Sequence, residues 1–427
     1  MNRVVFIQVL LGVCLLFSGI VSGQTEDSHD RHDGHGAFGQ TTAHDNRSNP
    51  SLSFIGDLVA TWSDDEEGRH AGADGFKLRG AELGFFGAVG DSYEFHGFVF
   101  FDDEEVELEE VYLLATDWIS QNYRLKAGRF NLDFGKLSPI HDSELPMMDK
   151  PSVLQEYIGG ALKGTGAEVH WRSSLGEESL IRASLGLVQE ADSDVHVILG
   201  PGGGHHHEEE SEQESPLREF DDFALNGRLA ALFDLSHSTT VQIGGSYLHS
   251  PERVFGVDEQ DVQSVDQSVL GLDLTLISDD DSTGAGYRLQ AEALFNERDY
   301  GELLDGGTPG DSADDLFEVS HEEAAGFVLL GERNFDDRNA LGFSYNQYEH
   351  AEDAEKESRD FGIFFTRQLN ENNRIRLEVR SFEDLVLEDE GVEDLVDFTA
   401  FSLQWTVMLG SHSHGIEWCM EDDCRSH

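Results

Sequence analysis

The sequence predicts an all-β chain, a transmembrane antiparallel up-and-down β-barrel of about sixteen strands with long external loops and short periplasmic turns. Three observations predict it. No apolar run long enough for a membrane helix occurs after residue 23. Sixteen stretches of roughly ten residues alternate in polarity, the pattern of a strand with lipid on one side and a lumen on the other. The spacers between them alternate long and short, the third (103–106) alone being shorter than the pattern wants, as external loops and periplasmic turns do in outer-membrane barrels, whereas a β-sandwich has no reason to sort its loops.

Residues 1–23 read as a secretory signal peptide: Arg3 opens a short charged region, Val4 to Ile20 is apolar, and Val21-Ser22-Gly23 supplies small residues for cleavage. An uncleaved anchor competes, but the small-residue exit and polar Gln24 favour cleavage. Residues 24–51 read as a flexible His/Asp-rich arm. The barrel is expected over 52–410, with strands near 52–62, 76–88, 92–102, 107–117, 122–131, 164–173, 179–189, 220–235, 239–249, 267–278, 284–296, 320–333, 338–349, 358–369, 373–383 and 397–409. The registers of 76–88 and 107–117 fit the alternation poorly. Residues 411–427 form a periplasmic tail with Cys419 and Cys424, for which a local disulfide and a Cys/His metal site with His427 both stay open.

The composition adds exclusions. With 85 Asp plus Glu against 28 Lys plus Arg, the net charge of -57 repels a polyanion and leaves no nucleic-acid partner. Its 28 Phe, 9 Tyr and 5 Trp give more aromatic surface than a disordered acidic chain carries. No nucleophile elbow, HExxH or phosphate-cradling loop occurs, so no catalytic residues are assigned and no enzyme activity is expected.

Strand faces test the barrel independently. Phe401, Leu403, Trp405, Val407 and Leu409 oppose Ser402, Gln404 and Thr406; Ile375, Leu377 and Val379 oppose Arg374, Arg376, Glu378 and Arg380. Leu270, Leu272, Leu274 and Leu276 likewise oppose Gly271, Asp273 and Thr275. If the apolar face meets lipid, the charged face lines a water-filled lumen. The expected pore-lining residues are Lys126, Glu168, Arg172, Arg182, Arg228, Asp273, Arg288, Glu292, Arg376, Glu378 and Arg380. A soluble barrel or sandwich with a charged exterior is the competing reading; loop sorting favours the membrane.

The stretches GFKLRGAELGFFGAVGDSYEFHGFVFFDDEEVELEEVYLL (75–114), YRLKAGRFNLDFGKLSPIHDSELPMMDKP (123–151), GTGAEVHW (164–171), GPGGGHHHEEE (200–210) and LQWTVMLGSHSHG (403–415) resemble the zinc-regulated outer-membrane receptor family. More distantly they resemble the phosphate-selective porins O and P. The resemblance implies a channel-like outer-membrane barrel of a Gram-negative bacterium, connected with zinc chiefly through regulation. Members are often described as TonB-dependent, but the 28 residues of 24–51 leave no room for a folded plug, so passive diffusion is the simpler mechanism.

Acid concentrates in the spacers, at 64–67, 102–105, 208–214, 279–281, 311–315, 352–357 and 388–394. An acidic mouth concentrates cations, while wall arginines could hold anions; the mouth favours cations, and a merely solvated surface stays open. His205, His206, His207, Glu208, Glu209 and Glu210 form a candidate external zinc site, since imidazole with carboxylate suits Zn, Ni or Cu, although no resident cofactor is required. His29, His32, His35, His412 and His414 are weaker candidates on the periplasmic side. The long insertion 132–163 is a candidate constriction loop through His141, Asp142, Glu144 and Asp149, acting with Lys150, Lys163 and the wall arginines; an external cap is the alternative. The expected partners are outer-membrane lipid, small ions or solutes and the barrel-assembly machinery, with a homotrimer compatible and oligomeric state open. A non-conducting metal receptor or an exported acidic surface-binding β protein is the alternative function.

Overall fold

A computed structural model of the chain describes residues 50–64, 75–90, 92–102, 106–116, 118–176, 179–189, 223–250, 254–255, 263–264, 266–280, 283–304, 316–351, 353–389 and 392–410. The signal peptide, the arm up to residue 49, the tail and the tract 205–210 lie outside these residues, and Ser51, expected in the arm, opens the first strand.

Sixteen strands close into one barrel. They are β1 (Ser51–Ser63), β2 (Gly75–Val89), β3 (Tyr93–Phe101), β4 (Val106–Ala115), β5 (Tyr123–Asn131), β6 (Lys163–Ser174), β7 (Ser179–Gln189), β8 (Ala224–Ser236), β9 (Thr239–Ser250), β10 (Gln267–Asp280), β11 (Ala285–Leu304), β12 (Leu316–Asp336), β13 (Asn339–Glu349), β14 (Glu357–Asn370), β15 (Asn373–Asp389) and β16 (Val392–Gly410). Each pairs antiparallel with its chain neighbours, and β1 pairs with β16 from Ser53↔Gly410 to Ser63↔Ala400. Closure leaves no strand edge unpaired, the condition for a sheet to sit in hydrocarbon. A two-residue ladder, 254–255 with 263–264, lies in the long connection after β9.

The period-2 pattern sorts as expected. Leu377 and Val379 are exposed on the outer face while Arg376, Glu378 and Arg380 are buried inside. Leu58, Leu185, Leu229, Leu289, Leu329, Phe361 and Trp405 extend an outer belt of exposed large apolar side chains. Among the described residues no helix is long and apolar enough to cross a membrane.

Two expectations about connections are corrected. The long spacer at 384–396 is instead a ladder running from Leu385↔Val396 to Asp389↔Val392, and the spacer at 297–319 shrinks to 305–315 because β11 and β12 continue to Leu304↔Leu316. Backbone pairing is indifferent to side-chain polarity, so acid-rich residues that break the apolar alternation still extend the strands.

The main correction concerns the lumen. Residues 132–162 fold into the barrel, so at their level the interior is packed rather than simply water-filled. Leu132, Phe134, Leu137, Leu145, Met147, Val153, Leu154, Tyr157, Ile158 and Leu162 form one buried cluster with inward wall residues such as Phe98, Leu114, Leu248, Leu294, Leu330 and Phe364. The segment carries a 3-10 turn at Asp142–Glu144 and one short α-helix, α1 (Ser152–Ile158), which follows Pro151 and ends at Gly159 in the left-handed conformation at φ 66. The amides of Gly159 and Gly160 close it on Gln155 O and Leu154 O, a termination glycine favours.

Candidate functional site: the inserted segment and its charged wall

Six inward charges of the wall, Arg79, Glu168, Glu292, Arg374, Arg376 and Glu378, hydrogen-bond the backbone of the inserted segment. Glu292 Oε1 accepts the amides of Lys136 and Leu137 at 2.8 and 2.7 Å, and Glu378 Oε2 accepts that of Met148 at 3.0 Å. Glu168 Oε2 accepts the amide of Asp133 at 3.1 Å. Arg376, 1% exposed, donates to Met147 O at 2.7 Å, to Leu145 O, and to Gln404 Oε1 on β16 at 2.9 Å. Arg374 donates to Ser143 O and Arg79 to Met148 O. An irregular segment inside a barrel lacks a ladder for its own N–H and C=O groups, and these side chains supply one.

Side chains are tied as well. Arg380 binds Asp360 Oδ1 at 2.8 Å and Ser152 Oγ at 2.7 Å, and Asp360 Oδ2 also accepts from Ser152 Oγ at 2.8 Å. Arg228 makes a fork on Asp273, at 2.7 and 3.0 Å, with its Nε 3.5 Å from Asp133 Oδ1. Tyr157 Oη donates to Glu349 O at 2.7 Å. Gly135, at φ +63, passes so close to Glu292 that a Cβ would lie 2.7 Å from its Oε2.

Burial within this network shifts the titration of the segment's own groups. Asp133 is mostly out of water, which opposes its charge, but Arg182, Arg228 and His170 outweigh this and hold its carboxyl at about 2. Burial pushes Lys136 down to about 8, with Arg182, Arg228 and Arg288 adding repulsion. Burial likewise lowers Lys150 to about 8 against the pull of Asp142, Glu109 and Glu292. Burial disfavours charge on His141, yet Glu109 and Glu82, with hydrogen bonds to Glu110 and Glu82, hold it well above the usual histidine range.

The expected constriction residues divide. Asp142, Glu144 and Asp149 are exposed in the interior segment, with Asp149 Oδ1 3.1 Å from Arg79. His141 is buried against the wall, and the Lys150 ammonium donates to Leu137 O, Ser138 O and Ile140 O, so it braces the segment rather than facing a permeant. Lys163 is bound to Glu107 Oε1 at 2.9 Å.

Of the expected wall set, Glu168, Arg228, Asp273, Glu292, Arg376, Glu378 and Arg380 are brought into this network. Lys126 donates to Asn131 O at 3.1 Å and sits 4.3 Å over the Tyr112 ring. Arg172 and Arg182 lie opposite each other across β6 and β7, and Arg288 lies opposite Glu332; these three are half-buried.

The sequence reading missed Asp57, Arg79, Glu82, Glu109, Glu110, Asp133 and Asp360. One signal was available for Glu109 and Glu110: in 106–114 the outer apolar residues run Val106, Leu108, then Val111 and Leu113. A step of three inside a period of two marks a bulge.

No family model matches the chain. A protein of Aquifex aeolicus described as uncharacterized is 27% identical over 97 residues, 23% of this chain and 20% of that protein. The chain thus matches about a fifth of that relative's length. Among solved structures, the anion-selective porin from Comamonas acidovorans is similar with a TM-score of 0.51 at 9% identity, over 84% of this chain and 99% of that one. The fold is a porin fold. The high-pH structure of Pseudomonas putida OprB gives a TM-score of 0.49 at 9% identity, over 84% of this chain and 94% of that one. Within this porin fold, the segment after β5 is the element that enters the lumen.

Proposed function

We propose that the chain is an outer-membrane channel of the porin kind in a Gram-negative bacterium, passing small charged solutes by diffusion through a lumen narrowed by residues 132–162. The observation that carries this reading is the closed barrel with an outer belt of exposed apolar side chains on most of its strands and its charge turned inward. Such a belt is costly in water and suited to lipid. On this reading residues 1–23 direct export and are removed, and the barrel-assembly machinery inserts the barrel, with a homotrimer as the assembly.

The finer reading is an acidic entrance that favours cations, divalent metals such as zinc among them. The acid-rich connections and the tract His205, His206, His207, Glu208, Glu209 and Glu210 support it on charge and ligand chemistry. The likeness to zinc-regulated outer-membrane receptors belongs to the same reading. A non-conducting receptor is the second reading, favoured by the apolar cluster that the segment builds across the interior.

Planar-bilayer recording of the refolded protein under a KCl gradient tests both. Stepwise conductance with a cation-favouring reversal potential, reduced by micromolar zinc, supports the channel with its acidic entrance. An anion-favouring potential shifts selectivity to Arg172, Arg182 and Arg288. A folded barrel without conductance selects the receptor.

A further inference from the structure

Two β-bulges aim charged groups at one region of the inner wall. In β2 the ladder with β1 steps from Asp57↔Gly80 to Leu58↔Leu78, leaving Arg79 unpaired; in β4 the ladder with β3 steps from Phe98↔Glu110 to Val99↔Leu108, leaving out Glu109. The second bulge reverses side-chain parity, so Glu109 and Glu110, neighbours in sequence, both turn inward. The inserted segment delivers His141 against them. Its Nδ1 lies 2.8 Å from Glu82 Oε2 and 3.5 Å from Glu109 Oε2, and its Nε2 lies 3.4 Å from Glu110 Oε1. One ligand atom from each of Glu82, Glu109 and His141 falls within 4.8 Å of the other two. The outer oxygen of Glu109 is 3.7 Å from Lys163 Nζ, while its Oε2 is out of water and accepts no hydrogen bond among the described residues.

We propose that Glu82, Glu109 and His141 form a binding site for a first-row divalent cation that fastens the inserted segment to β2 and β4. An ion bonded at about 2.0–2.2 Å to nitrogen and oxygen holds its ligands roughly 2.8–3.6 Å apart for angles between a right angle and tetrahedral. The two separations around His141 Nδ1 already lie there, and the two carboxylates, within 4.8 Å of each other, close on the ion. Glu110 behind Nε2 occupies the place of the carboxylate that orients a metal-bound imidazole from its far side. One imidazole and two carboxylates suit Mn²⁺, Fe²⁺, Co²⁺ or Zn²⁺ better than Ca²⁺, which takes six or more oxygens, or Cu⁺, which takes sulfur. Glu109 is half-buried and Asp142, next to His141, is exposed, which leaves an acidic approach from the lumen. The competing occupant is a proton on His141, which gives ion pairs and no metal.

The test uses the refolded full-length protein in detergent, stripped with EDTA, with His205→Ala, His206→Ala and His207→Ala introduced so that the external tract is silent. Co²⁺ is titrated by equilibrium dialysis and visible absorption into this parent and into the parent carrying Glu82→Gln, Glu109→Gln or His141→Gln. The parent is expected to bind one more equivalent than each variant, with a visible band that each variant lacks. Equal stoichiometry and identical spectra across variants that retain heat-modifiable migration overturn the site. If a variant does not fold, anomalous scattering from Co²⁺-grown crystals of the parent decides: a peak among the three side chains supports the site, and its absence there overturns it. Neither readout requires conductance, so the site can fail while the channel reading stands, and the reverse.

Discussion

Replacing Arg376 by Met keeps an aliphatic side chain of similar length while removing the guanidinium that joins β15 to the segment. Two segment carbonyls, Leu145 O and Met147 O, lose their donor, as do Gln404 Oε1 and Thr366 Oγ1 on the wall. A buried acceptor left unmatched costs about 1–3 kcal/mol, so the two carbonyls alone cost about 2–6 kcal/mol. Removing the desolvation cost of a buried cation returns part of this, leaving a net loss of about 3 kcal/mol. At about 1.4 kcal/mol per decade, the equilibrium for local release of the segment rises about a hundredfold. Hydrogen–deuterium exchange read by mass spectrometry on peptides spanning 144–154 measures it. The Met148 amide, bonded to Glu378 Oε2 at 3.0 Å, is expected to exchange about a hundred times faster while wall peptides of β15 and β16 stay protected. Unchanged exchange of the segment in a variant whose wall is intact refutes the reasoning that Arg376 holds it.

Leu154→Asp places an unpaired carboxylate in the fully buried luminal cluster and is expected to expel the segment, raising single-channel conductance while heat-modifiable migration persists; an unchanged conductance counts against a constricting segment. The Asp133 carboxyl is held at about 2 against an ordinary 3.8, so the stability it adds is present above pH 3.8 and is lost as pH falls toward 2. That shift corresponds to about 2 kcal/mol, and denaturant unfolding from pH 5 to 2 should show Asp133→Asn lacking that part of the acid loss. Leu377→Arg, on the outer face where Leu377 is 50% exposed, is expected to cost about 2–4 kcal/mol in folding into liposomes if it lies near the bilayer centre. A cost near zero would place β15 away from hydrocarbon there.

The strands were legible because their signal is local. Alternation over ten residues placed sixteen strands and set which of Arg376, Leu377, Glu378 and Val379 face inward. It failed where parity breaks, at Arg79 in β2 and Glu109 in β4, since a single bulged residue shifts every side chain beyond it to the other face. It also failed at 297–319 and 384–396, where the ladders continue through acid-rich sequence that does not keep the alternation.

The inserted segment shows the other limit. Its length marked it as unusual, and Asp142, Glu144 and Asp149 were candidates, but its buried apolar residues from Leu132 to Leu162 follow no strand or helix period. Their partners lie far away in the chain: Arg376 reaches Leu145 across 231 positions, and Glu292 reaches Leu137 across 155. The sequence by itself determined the barrel, its strand number and the two faces of several strands, because pleating ties side-chain direction to position within a few residues. The tertiary structure alone decided that the lumen holds a packed segment, that inward charges such as Arg376, Glu292 and Glu378 serve its backbone, and that Glu82, Glu109 and His141 meet. Those outcomes depend on which strands closure brings around one interior, and no local pattern carries that information.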